Sequence, residues 1–513
     1  MSASRLRSWT NTLGDVLARG LTDPSGLPHR VVETRKLAAE IARAVPYPAA
    51  RHAEVLAEGH LERGLIEPAA PEVSVVIPVY GKLDFTLRCL VSLGARTETT
   101  SFEVIVVDDG SPDDTERVLS RCPGLRYARN EVNGGFITSC NRGASMARGR
   151  FVCFLNNDTV VLPGWLDELV DTARRVPLAG LVGSRLIYPS YALQESGGLV
   201  WRDASAANFG NGRDPFHPRY GYLRDVDYCS AASVLLEKAL FDELGGFDRR
   251  YAPCYYEDTD LAFKVREAGR RVLVQPASRV VHFEGATAGT DLSTGPKRHQ
   301  VENRRVFFER WRAVLARHGD EGDTSPTELD RWSRRTTLVL GPDAEASSPL
   351  VSRLAGMRAL GCRVAYAPLL PRPAGLALVA GHRAGLVEAL GRVGVEALFA
   401  PYELSAVGVL RERAASLDVV VVRAGAPRGA LAAARRRGRR AKLVVDLSSA
   451  PGQPSVDDLA LARAADVVLA REAHVTSLGR EAPLAKVVTT AGRADDDVLV
   501  ALFRDLGLPL APR

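Results

Sequence analysis

Three strand-length aliphatic runs, VSVVIP at 73–78, VIVV at 104–107 and FVCFL at 151–155, each break off into prolyl, acidic or amide residues, with helix-length amphipathic segments between them. Runs that are apolar throughout, rather than alternating, belong to strands buried on both faces, as in sheets whose strands are joined by helical crossovers. The pattern reads strand 73–78, helix 84–92, strand 103–107, helix 113–120, strand 125–128, helix 135–147 and strand 150–156. It predicts an α/β fold with a mixed, mostly parallel sheet and right-handed crossovers. Such sheets present ligand-binding groups where their strands end, so the residues just after the aliphatic runs are where function is sought.

At 513 residues the chain exceeds what one core supports. Residues 1–70 read as a helical N-terminal extension punctuated by Pro24, Pro28, Pro46 and Pro48, 71–320 as the α/β unit and 321–335 as a linker. Residues 336–513 read as a second Rossmann-like α/β unit, with strands in TTLVLGP, VAYAP, VEALFAP, LDVVVVRAG, AKLVVDLSS, ADVVLA and AKVVTTAG. The stretch 197–222, rich in Gly, Asn and aromatics, predicts hairpins or a lid.

Aliphatic runs such as 419–422 fall far short of the roughly 20 residues of a membrane-spanning helix. The N-terminus lacks the apolar core of a signal peptide, so a cytoplasmic location is expected, with peripheral association at the inner face of the plasma membrane allowed for. Seven cysteines without a C-x-x-C pair predict reduced thiols in the core. The net charge of +6 is modest, and Arg435, Arg436, Arg437, Arg439 and Arg440 form either a solvated helix face or a patch for anionic head groups. No nucleic-acid recognition module accompanies them, so nucleic acid is not an expected partner.

Four places carry candidate chemistry. Asp108 and Asp109 follow a buried strand and either form a turn or accept hydrogen bonds from a base or ribose. Asn156, Asn157 and Asp158 follow another, as an Asx-turn or as oxygen donors for a hard cation such as Mg²⁺ or Mn²⁺. Glu257, Asp258 and Asp260 open a helix, where acids either complement the dipole or supply a general base. His282 is either structural or a metal ligand, and the NGGF turn at Asn133 and Gly134 is a weak anion-site signal.

Taken in order, VSVVIPVYGK, VIVVDDGS, NGGFITSCNRGASMARGRFVCFLNND, GGFDRRYAPCYYEDTDLAFKV and VVHFEG resemble the family 2 glycosyltransferases, inverting enzymes of the GT-A fold. The resemblance covers about 72–315, and the block from DYCSAAS to REAGRRV looks like the bacterial subgroup that builds O-antigen and rhamnan-type chains. It implies nucleoside contacts from Asp108 and Asp109, a base pocket lined by Pro78 and Tyr80, and donor contacts from Asn133, Gly134, Asn156 and Asn157. It further implies Asp158 as the surviving acid of a DXD-like metal motif, His282 beside the metal and diphosphate, and Asp258, paired with Glu257, as the base that deprotonates the acceptor.

The implied partners are a nucleotide-diphosphate sugar, a glycan or lipid-linked acceptor and other polysaccharide-assembly enzymes. The segments TTLVLGP, GVEALFAP, LDVVVVRAG and AKLVVDLSS resemble the acceptor-side half of a GT-B glycosyltransferase. The rival expectation is a non-catalytic glycan-binding or scaffolding subunit.

Overall fold

The structure is a computed structural model. It describes residues 27–44, 68–94, 99–283, 298–329, 331–332, 335–341, 349–359, 362–368, 386, 388–398, 417–424, 441–448, 455–470, 486–489 and 502. The arginine cluster at 435–440 lies outside the described residues. The chain divides into two compact units, one built from Arg30–Pro215 and Arg224–Asp323, the other from Phe216–Leu223 and Thr324–Arg513.

The first unit is an α/β fold around a mixed sheet. Its strands are β1 (Val73–Val79), β2 (Phe102–Asp108), β3 (Leu125–Arg129), β4 (Phe151–Leu155), β5 (Thr159–Val161), β6 (Ala179–Ile187), β7 (Leu193–Glu195), β10 (Arg224–Asp225), β11 (Ser233–Glu237) and β12 (Arg271–His282). Strands β8 (Gly198–Val200) and β9 (Ala206–Asn208) form a separate hairpin inside the stretch expected to hold one. The sheet runs β10-β12-β6-β11-β4-β1-β2-β3. On that path only β11 and β10 oppose the common direction.

Alternate residues of one strand feed opposite faces: Val75 and Ile77 pack with Val104 and Val106, whereas Val76 packs with Ile105 and Val107. Both faces are covered, which is why the sequence shows continuous aliphatic runs there. The helix Gly135–Met146 lies so close to the sheet that a Cβ at Gly143 would sit 2.3 Å from Val76 Cγ1. All seven cysteines are free thiols. Among the described residues no helix is long and apolar enough to cross a membrane.

Two boundaries matter for the site. Strand β12 extends to His282, and the helix carrying the three acids begins at Glu257. Pairing of Val280, Val281 and His282 with β5 extends the strand, and first-turn acids suit a helix N-terminus.

Among the described residues the second unit contains seven parallel strands, β13 (Arg335–Gly341), β14 (Cys362–Pro368), β15 (Val395–Ala397), β16 (Val419–Arg423), β17 (Lys442–Asp446), β18 (Val467–Ala470) and β19 (Lys486–Thr489). Their order is β15-β14-β13-β16-β17-β18-β19. It is the open doubly wound arrangement.

Candidate active site

The strand order reverses between β1 and β4, and a gap opens there for a specific reason. Pro78 has no N–H to offer, and the β1–β4 ladder stops at the Val76–Phe154 pair while the β1–β2 ladder continues to Val79–Asp108. The C-terminal ends of β1, β2, β4 and β12 therefore share one edge with the N-terminal end of the reversed strand β11. Tyr80 stands at this edge with 45% of its surface exposed.

The two acids after β2 divide their work. Asp108 is fully enclosed: Oδ1 accepts from the Ser111 N–H at 2.8 Å, and Oδ2 accepts from the Tyr127 hydroxyl at 2.6 Å and from Arg129. Burial alone would raise its carboxyl, but these hydrogen bonds outweigh burial and hold it below the ordinary value. Asp109 accepts from the backbone N–H groups of Gly134 at 2.9 Å and Gly135 at 2.8 Å, and from Asn130 Nδ2 at 2.6 Å. It thus supplies from a distance the acceptors that a helix beginning Gly-Gly cannot supply itself. Asn133 accepts from the Gly135 N–H at 3.1 Å and is otherwise on the open side of the turn.

After β4 the turn splits its three polar residues. Asn157 faces inward and donates to Thr86 Oγ1 at 3.0 Å. Asp158 Oδ1 lies 3.2 Å from His282 Nε2, and the Phe283 N–H donates to the Asp158 carbonyl at 2.9 Å. His282 Nδ1 is in turn met by the Gln194 amide at 3.1 Å. Asn156 Oδ1 is buried without a hydrogen-bond partner.

An orphaned oxygen beside a carboxylate and an oriented imidazole is a donor set that fits Mg²⁺ or Mn²⁺. Among the described residues no group of three or more His, Cys, Asp or Glu gathers around a common point.

The third element is the loop before the helix Glu257–Glu267. Tyr255 and Tyr256 both adopt left-handed backbone, φ 75° and 70°, a conformation costing on the order of 1–3 kcal/mol each for a bulky residue. It aims the first turn of the helix at the sheet edge and separates the three acids. Asp260 is fully buried and accepts from Trp311 Nε1 at 2.8 Å and the Tyr251 hydroxyl at 3.1 Å, with Arg310 beside it, so it anchors the helix.

Asp258 remains partly open. Its Oδ2 accepts from the Ala231 N–H at 3.3 Å and its Oδ1 from the Thr259 N–H at 2.6 Å. Burial raises its carboxyl despite those hydrogen bonds. Glu257 is buried with Oε2 unpartnered, and burial followed by repulsion from Asp258 raises it well above the ordinary value.

These elements converge. The Asn156 N–H donates to the Ala232 carbonyl at 3.0 Å, one residue from the Ala231 amide that holds Asp258. Burial raises the Cys140 thiol, and the charges of Glu257 and Asp109 raise it further. A Cβ at Gly135, whose φ is +82°, would sit 2.8 Å from Pro253 Cβ, so the Gly-Gly helix end and the loop touch through backbone.

Part of the chain resembles known proteins. The family model described as Glycosyl transferase family 2 matches residues 74–223. This segment is a family 2 glycosyltransferase domain. The O-antigen biosynthesis protein RfbC of Myxococcus xanthus is 29% identical over 277 residues, 49% of this chain and 22% of that protein. The N-acetylglucosaminyl-diphospho-decaprenol L-rhamnosyltransferase of Mycobacterium tuberculosis is 28% identical over 300 residues, 52% of this chain and 90% of that protein. The chain thus spans about a fifth of the first relative's length and most of the second's. A solved structure of GalNAc-T7 with UDP, GalNAc and Mn²⁺ is 19% identical over 48% of this chain and 49% of that one, with a TM-score of 0.39, too low to transfer any role.

Sequence reasoning missed two residues that brace the candidate site. Gln194 orients His282, and Glu195 accepts from the Ser230 N–H at 3.0 Å, holding the turn that carries Ala231. Both lie on β7, three residues long and without a periodicity to read. Their polarity, between buried Leu193 and Gly198, was the one available signal.

Proposed function

We propose that the first unit is a metal-assisted, inverting glycosyltransferase that moves a sugar from a nucleotide diphosphate to a hydroxyl of a glycan or lipid-linked acceptor in cell-surface polysaccharide synthesis. The observation that carries this reading is the connection from Asp258 through Ala231 and Ala232 to Asn156, which sets a carboxylate of raised pKa beside the metal-type turn. The names of the relatives, an O-antigen biosynthesis protein and a rhamnosyltransferase acting on a decaprenol-linked sugar, support the acceptor class.

In this reading Asp258 accepts the proton of the acceptor hydroxyl as its oxygen attacks the anomeric carbon. The bond from that carbon to the diphosphate breaks on the opposite face, and the nucleotide leaves with the electron pair. A raised pKa suits a base working near neutrality. Asp158, His282 and Asn156 hold the cation, Mg²⁺ or Mn²⁺. When bound there it supplies positive charge to the leaving diphosphate.

Pro78 and Tyr80 form the wall for the nucleobase, with Asp109, Asn133 and Gly134 along the nucleoside and Asp108 bracing the loop through Arg129. The second unit is proposed as an acceptor- or partner-binding half resembling that side of a GT-B enzyme, supported by its parallel strand order. Other assembly enzymes and the inner membrane face are the proposed surroundings.

The test is turnover and binding with a panel of UDP-, dTDP- and GDP-sugars in Mn²⁺ or Mg²⁺. Transfer or slow hydrolysis of a panel member is expected. Nucleotide binding without any turnover would favour the scaffolding role, and neither binding nor turnover would overturn both.

A further inference from the structure

The strained loop before Asp258 is held from outside its own sequence neighbourhood. Asn303, buried on the helix Arg298–Leu315, directs its Nδ2 at three carbonyl oxygens: Tyr251 at 2.8 Å, Cys254 at 3.0 Å and Tyr255 at 3.0 Å. An amide nitrogen has two hydrogens, so at least one of these bonds is shared. All three acceptors precede the left-handed Tyr255–Tyr256 pair or belong to it.

The same helix face continues the grip. Phe307, four residues on, packs against the Tyr256 ring at 5.3 Å between centroids, and Trp311, eight residues on, donates to Asp260. The Tyr256 hydroxyl is tied to the Ala204 carbonyl at 2.8 Å. Backbone held in a sparsely populated conformation persists only where surrounding contacts over-determine it. Asn303 reaches three carbonyls of this loop.

We propose that Asn303 is a positioning residue for the transfer reaction, fixing the 251–256 loop so that Asp258 meets the acceptor hydroxyl. This rests on the glycosyltransferase reading above and names a residue acting on that same site. Asn303 touches neither donor nor acceptor. Its removal leaves the residues assigned to nucleotide and cation intact.

The experiment compares full-length wild type with Asn303→Ala, Asn303→Asp and a control on an exposed face of the same helix, Arg305→Ala. Turnover is followed by nucleotide release from whichever UDP-, dTDP- or GDP-sugar the wild type uses. Affinity is measured by titrating UDP and dTDP in Mn²⁺, and folding by circular dichroism melting. Displacing a catalytic group by about 1 Å costs on the order of 10²-fold. Asn303→Ala is therefore expected to lower kcat about 10²-fold with donor KM and nucleotide affinity within about twofold. Asn303→Asp, which faces three carbonyls with a carboxylate, is expected to lose at least as much, and Arg305→Ala to match wild type.

Unchanged kcat in a folded Asn303→Ala overturns the proposal. So does a parallel loss of kcat, affinity and melting temperature, which marks a merely structural residue. If Asn303→Asp does not fold, Asn303→Ala decides alone. A wild type that neither turns over nor binds nucleotides sinks the glycosyltransferase reading itself, an outcome distinct from an active wild type with an indifferent Asn303.

Discussion

The two sheets begin alike and end differently. In the first unit the order β3-β2-β1-β4 is followed by the reversed strand β11, whereas in the second β15-β14-β13-β16 is followed by three more parallel strands. Reversal brings the turn at Ser230–Ala232 to the edge where parallel strands end, and there Asp258 finds its amide. The polar groups also differ. In the second unit Glu396 is met by Arg363 at 2.6 Å, and Asp446 by Arg353 and by Ser448. In the first, Asn156 Oδ1 and Glu257 Oε2 are buried and unanswered. Strand order makes an edge in both, and both keep buried polar atoms without partners, Thr337 Oγ1 and Arg423 Nε among those of the second; what differs is that in the first they include oxygens of a carboxyl and a side-chain amide next to the acid-bearing loops.

That contrast can be broken at several points. The largest effect is expected for Asp258→Asn, with turnover down about 10³-fold, as for loss of a general base, and nucleotide affinity retained. Loss of nucleotide binding instead would place Asp258 at the donor. Glu396→Gln should leave Arg363 buried without its counter-charge and cost about 3 kcal/mol in denaturant unfolding. A neutral result would show that the second unit's pair is dispensable.

His282→Ala should weaken UDP binding in Mn²⁺ about tenfold or more. An equal loss with and without the cation would remove His282 from the metal. The smallest effect is that of Glu257→Gln. The folded-state pKa of Glu257 is raised, so its favourable contribution is complete below the ordinary glutamate value and is lost as pH rises through the raised one. The variant should match wild type near pH 4 and melt higher as pH increases, by about 2 °C or more at neutrality. A gap that stays constant with pH would mean the carboxyl is not the cause.

The first sheet's framework was legible because its central strands are buried on both faces, and its loops because acids and amides interrupt those strands. Asp158 and His282 lie far apart in sequence, Asp158 after β4 and His282 at the end of β12, and their meeting was implied by the family resemblance and not by the strand pattern. The direction of β11 was not, since an apolar strand carries no mark of its direction. Nor was the division among Glu257, Asp258 and Asp260, which look equivalent as first-turn acids until Trp311 and Ala231 claim two of them. Asn303 could have been noticed as a polar residue in register with Phe307 and Trp311, but nothing local connects it to carbonyls 48 to 52 residues earlier.

By itself the sequence determined the α/β class, the principal strands of the first sheet and the ends of β1, β2 and β4 as the place for chemistry. Periodicity and strand-terminating residues are local properties, and a single chain displays them. Which oxygens remain free was decided only in the folded molecule. Burial, repulsion between neighbouring carboxylates and hydrogen bonds from distant helices are sums over groups that share no stretch of sequence. They turn Asp108 and Asp260 into braces, leave oxygens of Asn156 and Glu257 unpartnered, and keep Asp258 partly open between two backbone amides.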